Sequence, residues 1–190
     1  GVFMRKKYII FLAFLVLIAG CSEKNNNKHN IVIYGDYKCP YCKKVEHNIM
    51  PKLQKNYIDK GKVDYQFVNM AFLGKDSIKG SQAGHAVENI APKQYLEFQK
   101  LMFSEQPNHE NEWITEKLID KQIDKLHLSK QKTYKIKKEY KTKGSQAWKD
   151  AEKDQEKVKK NNIEEAPTVY IDGKKLDNPY DYKEYKKHLR

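Results

Sequence analysis

Cysteine is scarce in this chain: 190 residues contain three, at positions 21, 39 and 42. That scarcity rules out a dense disulfide scaffold. A structural zinc site needs four ligands, and the available set falls short: once Cys21 is set aside two thiols remain, His47 follows Cys42 by five residues, and His85 and His109 have no partner at finger spacing. No metal and no cofactor is expected. Arginine is scarcer still, at Arg5 and Arg190 alone, so 35 of the 37 basic residues are lysine. Nine glycines and six prolines form no repeat and no long disordered tract. One long apolar run exists, and it falls short of the roughly 20 residues a membrane span needs.

That run, YIIFLAFLVLIAG, follows the basic start MRKK and ends at Cys21, the layout of a secretion signal. Ile18-Ala19-Gly20-Cys21 resembles a bacterial lipobox, in which the cysteine is acylated and becomes the new N-terminus. Residues 1–20 therefore read as a lipoprotein signal peptide and residues 21–30 as a lipidated cysteine with a polar tether. An uncleaved N-terminal anchor is the alternative, and leaves the domain on the same side of the membrane. Gly1 to Phe3 precede a plausible start at Met4. Removal of the signal takes away Arg5, Lys6 and Lys7 and no acid, so the formal charge falls from +12 to +9. Nucleic acid is not an expected partner of an exported protein despite that charge; anionic headgroups or wall polymers are nearer. The tether's eight residues reach at most about 30 Å at roughly 3.3–3.6 Å each. The expected location is the cell membrane, lipid-anchored on its extracytoplasmic face, and the chain is expected to act as a monomer.

About 165 residues follow, enough for one domain with a core. Residues 31–34, IVIY, form a continuous apolar run suited to a strand buried on both faces. After Gly35-Asp36, Pro40 suits the first turn of a helix that carries Val45, Ile49, Leu53 and Tyr57 on one stripe and that Pro51 should kink without ending. Residues 63–70 read as a second strand, reached by a parallel crossover. From residue 77 to 162 the period is helical, with Tyr95, Phe98, Leu101 and Met102 on one stripe and Ile114, Leu118, Ile119, Ile123 and Leu126 on another. Trp113 and Trp148 read as packing residues. Residues 168–171 return to strand, Asp172-Gly173 is a hairpin turn signal, residues 174–176 are its partner, and residues 180–189 close as a helix. This is the order of an α/β thioredoxin fold with an inserted helical domain: 31–73 and 163–190 as the thioredoxin-like part, 74–162 as the insertion.

The two remaining cysteines enclose Pro40 and Tyr41 in the sequence CPYC. A purely structural bridge would close a four-residue loop and remove little chain entropy. A redox role has a reason at each position. Cys39 falls at a helix N-cap, where unpaired N–H groups and the helix dipole favour thiolate over thiol, which makes it the nucleophile. Cys42 stands three residues on, on the same helix face, as the resolving thiol. Pro40 fixes the turn, and Tyr41 projects toward Cys39 and an incoming peptide. Lys38, Lys43 and Lys44 add positive potential but read as solvated neighbours. Far along the chain, Pro167 enters a strand, where a proline marks a turn or a cis bond.

The lipobox, CPYC after a strand, the inserted helices and APTVYIDG together resemble the DsbA-type thiol:disulfide oxidoreductases, and YGDYKCPYC is similar to the staphylococcal lipoproteins of that family. The likeness covers nearly all of residues 31–190. It implies a cis-proline loop at Pro167 facing the cysteines, with Ala166 and Thr168 beside it handling a bound peptide. It also implies transfer of a disulfide from Cys39–Cys42 to reduced exported proteins, with an unidentified reoxidant. Histidine is common in the family where Tyr41 stands, and many members carry a buried acid in the first strand, where Ile31-Val32-Ile33 has none. Asp36 and Glu46 are candidate proton acceptors for Cys42, although both read as solvated. A reductase or isomerase could use the same site, and a non-catalytic binding lipoprotein would show no unusually reactive thiol.

Overall fold

The computed structural model describes residues 28–109 and 111–190. The signal, the lipobox and Cys21 lie outside the described residues. Strands β1 (His29–Gly35), β2 (Val63–Asn69), β3 (Thr168–Ile171) and β4 (Lys174–Lys175) form one sheet in the order β2-β1-β3-β4. β1 runs parallel to β2, placing Ile33 opposite Phe67, and antiparallel to β3, placing Ile33 opposite Val169. The sheet is mixed, as a thioredoxin fold requires, and β1 is central. Side chains alternate along it: Ile31 and Ile33 enter the main core, while Tyr34 joins Val68, Met70 and Ile163 on the other face. β1 starts two residues before the apolar run because Asp172 holds its entrance. The Asn30 N–H donates to Asp172 Oδ1 at 2.8 Å, and His29 Nδ1 lies 2.7 Å from Asp172 Oδ2. Asp172 and Gly173 have φ of 50° and 77°, the left-handed pair that a two-residue hairpin needs.

A parallel pair needs a long crossover, supplied by α1 (Pro40–Asn48), α2 (Met50–Leu53) and a π turn, Gln54–Ile58. Pro51 has no N–H to donate to the His47 carbonyl, so regular bonding breaks at Ile49, whose carbonyl then accepts from both Lys52 and Leu53. The chain stays helical through the break, and Val45, Ile49 and Leu53 remain buried on one stripe.

Five helices fill the interval before β3: α3 (Ser77–Ile90), α4 (Tyr95–Ser104), α5 (Glu116–Asp124), α6 (Lys130–Lys141) and α7 (Gln146–Lys160). Thr115, Ser129 and Ser145 cap α5, α6 and α7 through side-chain oxygens. α3 packs against the other four. Phe98 and Met102 of α4 and Ile119 and Ile123 of α5 are fully buried, in one continuous core with Ile31, Ile33 and Val169 of the sheet. Trp113 belongs to that core, and the partly exposed Trp148 indole donates to the Tyr140 carbonyl at 2.7 Å. α8 (Tyr182–His188) closes the chain through buried Tyr185. Among the described residues no helix is long and apolar enough to cross a membrane.

Candidate active site

The turn from β1 into α1 carries the cysteine pair. Gly35 is the last residue of β1, and a Cβ there would lie 2.7 Å from the Phe67 ring and 3.2 Å from Cys42 Sγ. Glycine lets the strand pass under the site. Tyr37, 1% exposed, turns inward to touch Phe67 and Phe103, with ring centroids 5.6 and 5.1 Å away. It also lies over α3, where a Cβ on Gly80 would come within 2.8 Å of its ring. The site is thereby bolted to both the sheet and the helices.

Three residues read as solvated are buried instead. Asp36 is fully buried and accepts four hydrogen bonds: Lys38 N–H and the Ser77 hydroxyl at Oδ1, Phe72 and Leu73 N–H at Oδ2. A carboxylate so saturated is a clamp between the cysteine turn and the loop after β2. Lys38 points inward to form an ion pair with Asp76 at 2.7 Å, both side chains under 5% exposed. Asp76 Oδ2 also accepts from Trp113 and Ile114 N–H at 2.8 and 2.9 Å. Burial pushes the Asp76 carboxyl up, the Lys38 bond and the two N–H groups push it down, and the net result is below the usual range.

Glu46 is the third. Its Oε2 accepts from Gln99 Nε2 at 2.7 Å, and the same amide group bonds the Tyr65 hydroxyl. Burial pushes this carboxyl up to about 7. Glu46 stands one helical turn beyond Cys42, and both line a cavity of about 10 Å³, near the smallest space that holds one water. A group that exchanges a proton near neutrality thus neighbours the resolving thiol. A buried acid is present after all, on α1 instead of the first strand.

Cys39 is the N-cap of α1, and both cysteines are unbonded thiols. The Cys42 N–H donates to Cys39 Sγ at 3.3 Å, and Cys39 Sγ lies 3.5 Å from the Ala166 carbonyl oxygen. Cys39 is lowered to about 7, chiefly by the hydrogen bond from the Cys42 thiol, against burial, with help from the Cys42 and Tyr41 N–H groups. The lysines expected to assist do not do so from Lys38, whose charge is taken by Asp76. Burial, reinforced by the neighbouring Cys39, raises Cys42 well above its ordinary value. One sulfur is primed to attack and the other to wait.

The Ala166–Pro167 bond is cis, and the loop brings Ala166 against Cys39. Thr168 is buried at the start of β3, its hydroxyl donating to the Glu165 carbonyl at 2.8 Å. Its side chain is spent on the loop itself. Cys39, Pro40, Tyr41 and Ala166 line an open groove of about 900 Å³. Its opposite wall, absent from the sequence reading, comes from Phe72 and Leu73 and from the segment 106–109 between α4 and α5. Gln106 fixes that segment, donating to the Tyr37 carbonyl at 2.9 Å and accepting from Lys43 Nζ at 3.1 Å. Among the described residues no three His, Cys, Asp or Glu side chains gather to hold a metal ion.

Comparison with known proteins bears on the family and the fold. The thioredoxin family model matches residues 24–190. The chain is 37% identical over 166 residues to disulfide bond formation protein D of Bacillus subtilis, covering 87% of this chain and 73% of that protein. It is 35% identical to the probable disulfide bond formation protein D of Bacillus anthracis, with 87% and 74% covered. Among solved structures, oxidised BdbD from Bacillus subtilis aligns with a TM-score of 0.74 at 35% identity, covering 85% of each chain. MdbA of Actinomyces oris, at 21% identity, shares the fold with a TM-score of 0.69 over 86% of this chain and 79% of its own.

Proposed function

The chain belongs to the thioredoxin-fold family of DsbA-like disulfide bond formation proteins, and from that premise we propose that it oxidises exported polypeptides outside the cytoplasm. It is a thiol:disulfide oxidoreductase of the DsbA type. The observation that carries the direction is the likeness, over most of both chains, to proteins named for disulfide bond formation. The pair is built for exchange, with Cys39 lowered to about 7 and Cys42 raised well above its ordinary value, and stabilising the Cys39 thiolate favours the reduced enzyme and so makes it the better oxidant.

In the forward reaction a substrate thiolate attacks Cys39 Sγ of the oxidised pair. The Cys39–Cys42 bond breaks, a mixed disulfide forms at Cys39, and Cys42 leaves as a thiolate that takes a proton. Glu46 is placed to supply it through the shared cavity. A second substrate thiolate then attacks the substrate sulfur of the mixed disulfide, the substrate leaves oxidised, and the Cys39 thiolate is released. The substrate has lost two electrons and the pair has gained them. Stoichiometric oxidised enzyme should therefore restore activity to a reduced, cysteine-containing test protein, with Cys39→Ser inactive. Failure to transfer, together with a potential near thioredoxin's roughly −270 mV instead of nearer DsbA's roughly −120 mV, would favour the reductase reading.

The location is proposed from the sequence: MRKK, the apolar run and Ile-Ala-Gly-Cys21 support a lipid anchor. Cys21→Ser should release the protein from membranes and leave disulfide transfer unchanged. A Cys21→Ser protein that remains fully membrane-bound, with no acyl group on the native one, would remove the anchor.

A further inference from the structure

We propose that the groove beside Cys39 selects acidic polypeptide segments, so that cysteines flanked by aspartate or glutamate are this enzyme's preferred substrates. The inference rests on the oxidoreductase reading and adds a substrate class to it. Three basic residues of α1 line one wall, Lys43, Lys44 and His47, while among the described residues lining the groove there is no carboxylate. Elsewhere on the surface lysines find acids at close range, as in Lys137–Asp124 and Lys141–Asp120, both 2.7 Å. Lys43 and Lys44 have no such partner among the described residues. Lys43 Nζ reaches the Gln106 carbonyl, and Lys44 Nζ lies 4.9 Å from the centre of the Tyr41 ring. Both ammonium groups thus make neutral contacts beside the groove, with no acid paired to either among the described residues. Asp36, the buried acid of the cysteine turn, has its four hydrogen bonds made to Lys38 N–H, Ser77, Phe72 and Leu73.

The opposite wall carries a fixed apolar patch, Phe72 and Leu73, beside the segment 106–109. Phe72 and Leu73 are 51% and 38% exposed, yet their N–H groups are tied to Asp36 and Ala71 before them has a φ of 48°. An exposed phenyl ring on a pinned backbone is a ready contact surface, since little ordering entropy remains to be lost on binding. A segment lying between the walls would set acidic side chains against α1 and an apolar one against Phe72, with its cysteine at Cys39. A cleft lined by one sign of charge raises the encounter rate of oppositely charged ligands by roughly 10–10³ at low ionic strength.

The test is the rate of disulfide transfer from the oxidised full-length protein to three reduced dithiol peptides. They share a leucine beside the cysteine and differ in flanks of aspartate and glutamate, serine, or lysine. At low salt the acidic peptide should react about tenfold faster than the serine peptide, and lysine flanks should be slowest. In 0.5 M NaCl, where screening acts within a few Å, the three should converge. Lys43→Gln/Lys44→Gln/His47→Gln should lose the preference, and Lys132→Gln/Lys135→Gln, which removes exposed charge from α6, should keep it. Equal rates on all three peptides at low salt would overturn the proposal and leave the oxidase reading intact; no transfer to any of them would remove both. The competing occupant is an anionic lipid surface. If vesicles containing phosphatidylglycerol bind the native protein and not the triple variant while the peptide rates stay equal, the groove face belongs to lipid and the proposal fails.

Discussion

A Cys42→Ser protein mixed with a disulfide substrate will accumulate mixed disulfides at Cys39, while Cys39→Ser will form none. The cause is geometric: both cysteines are only 3% exposed, but Cys39 lines the open groove and lies against the Ala166 carbonyl, whereas Cys42 lines only the small cavity behind it. Iodoacetamide should show the same division in the native reduced protein. With Cys39 lowered to about 7, about half of it is thiolate at pH 7, against a few per cent for an ordinary thiol near 8.5. Lower basicity costs nucleophilicity, with a Brønsted slope of about 0.4–0.5. The net gain over a free cysteine is therefore about threefold, by the same slope. Against Cys42, raised and buried, the preference should exceed about tenfold. The rate should climb through pH 7 and level off above it. A midpoint near 8.5 would refute N-cap activation. Glu46→Gln should leave that midpoint in place and slow the step in which Cys42 attacks the mixed disulfide.

The same lowered value sets how pH acts on the reduced fold. An acid whose native value is depressed contributes stability that is present above its unfolded value and lost as pH falls through the native one. Reduced protein should accordingly lose this contribution between about pH 8.5 and the Cys39 value of about 7. Oxidised protein has no Cys39 thiol to titrate and should lack that loss.

Asp76→Ala should destabilise the fold by about 3–5 kcal/mol, because it strands the buried Lys38 ammonium without its partner. For a chain of this size that is a fall in Tm of roughly 10 °C. The double variant Lys38→Met/Asp76→Ala should recover part of the loss, since no charge is then left unpaired. It should not recover all of it, because Trp113 and Ile114 N–H still lose their acceptor. The pH sign is that of a depressed carboxyl: its contribution is present above the unfolded value near 3.9 and lost on acidification through the lower native one. Urea unfolding of the three proteins, native, single and double variant, at neutral and acid pH checks both points. An Asp76→Ala protein within 1 kcal/mol of native would show that the pair is not the buried bond between the cysteine turn and the loop before α5.

The order of elements was legible because each announces itself locally. IVIY is continuous and apolar, the helices carry stripes at their own period, and Asp172-Gly173 has the two residues a tight hairpin accepts. CPYC was legible for the same reason: an N-cap cysteine, a proline in the first turn and a second cysteine on the same face all lie within four residues. What the chain could not disclose locally was where its polar residues go. Asp36, Lys38 and Glu46 look like surface residues, and each is buried only because a partner arrives from 36 to 53 positions away: Phe72 N–H for Asp36, Asp76 for Lys38, Gln99 for Glu46. Burying a charge is unfavourable unless such partners are in place, and only the packing of α3 and α4 against the sheet brings them there. The groove is of the same kind. One wall, on α1, is local to CPYC, and the other is assembled from the loop after β2 and the segment after α4, which meet Cys39 through tertiary contact alone.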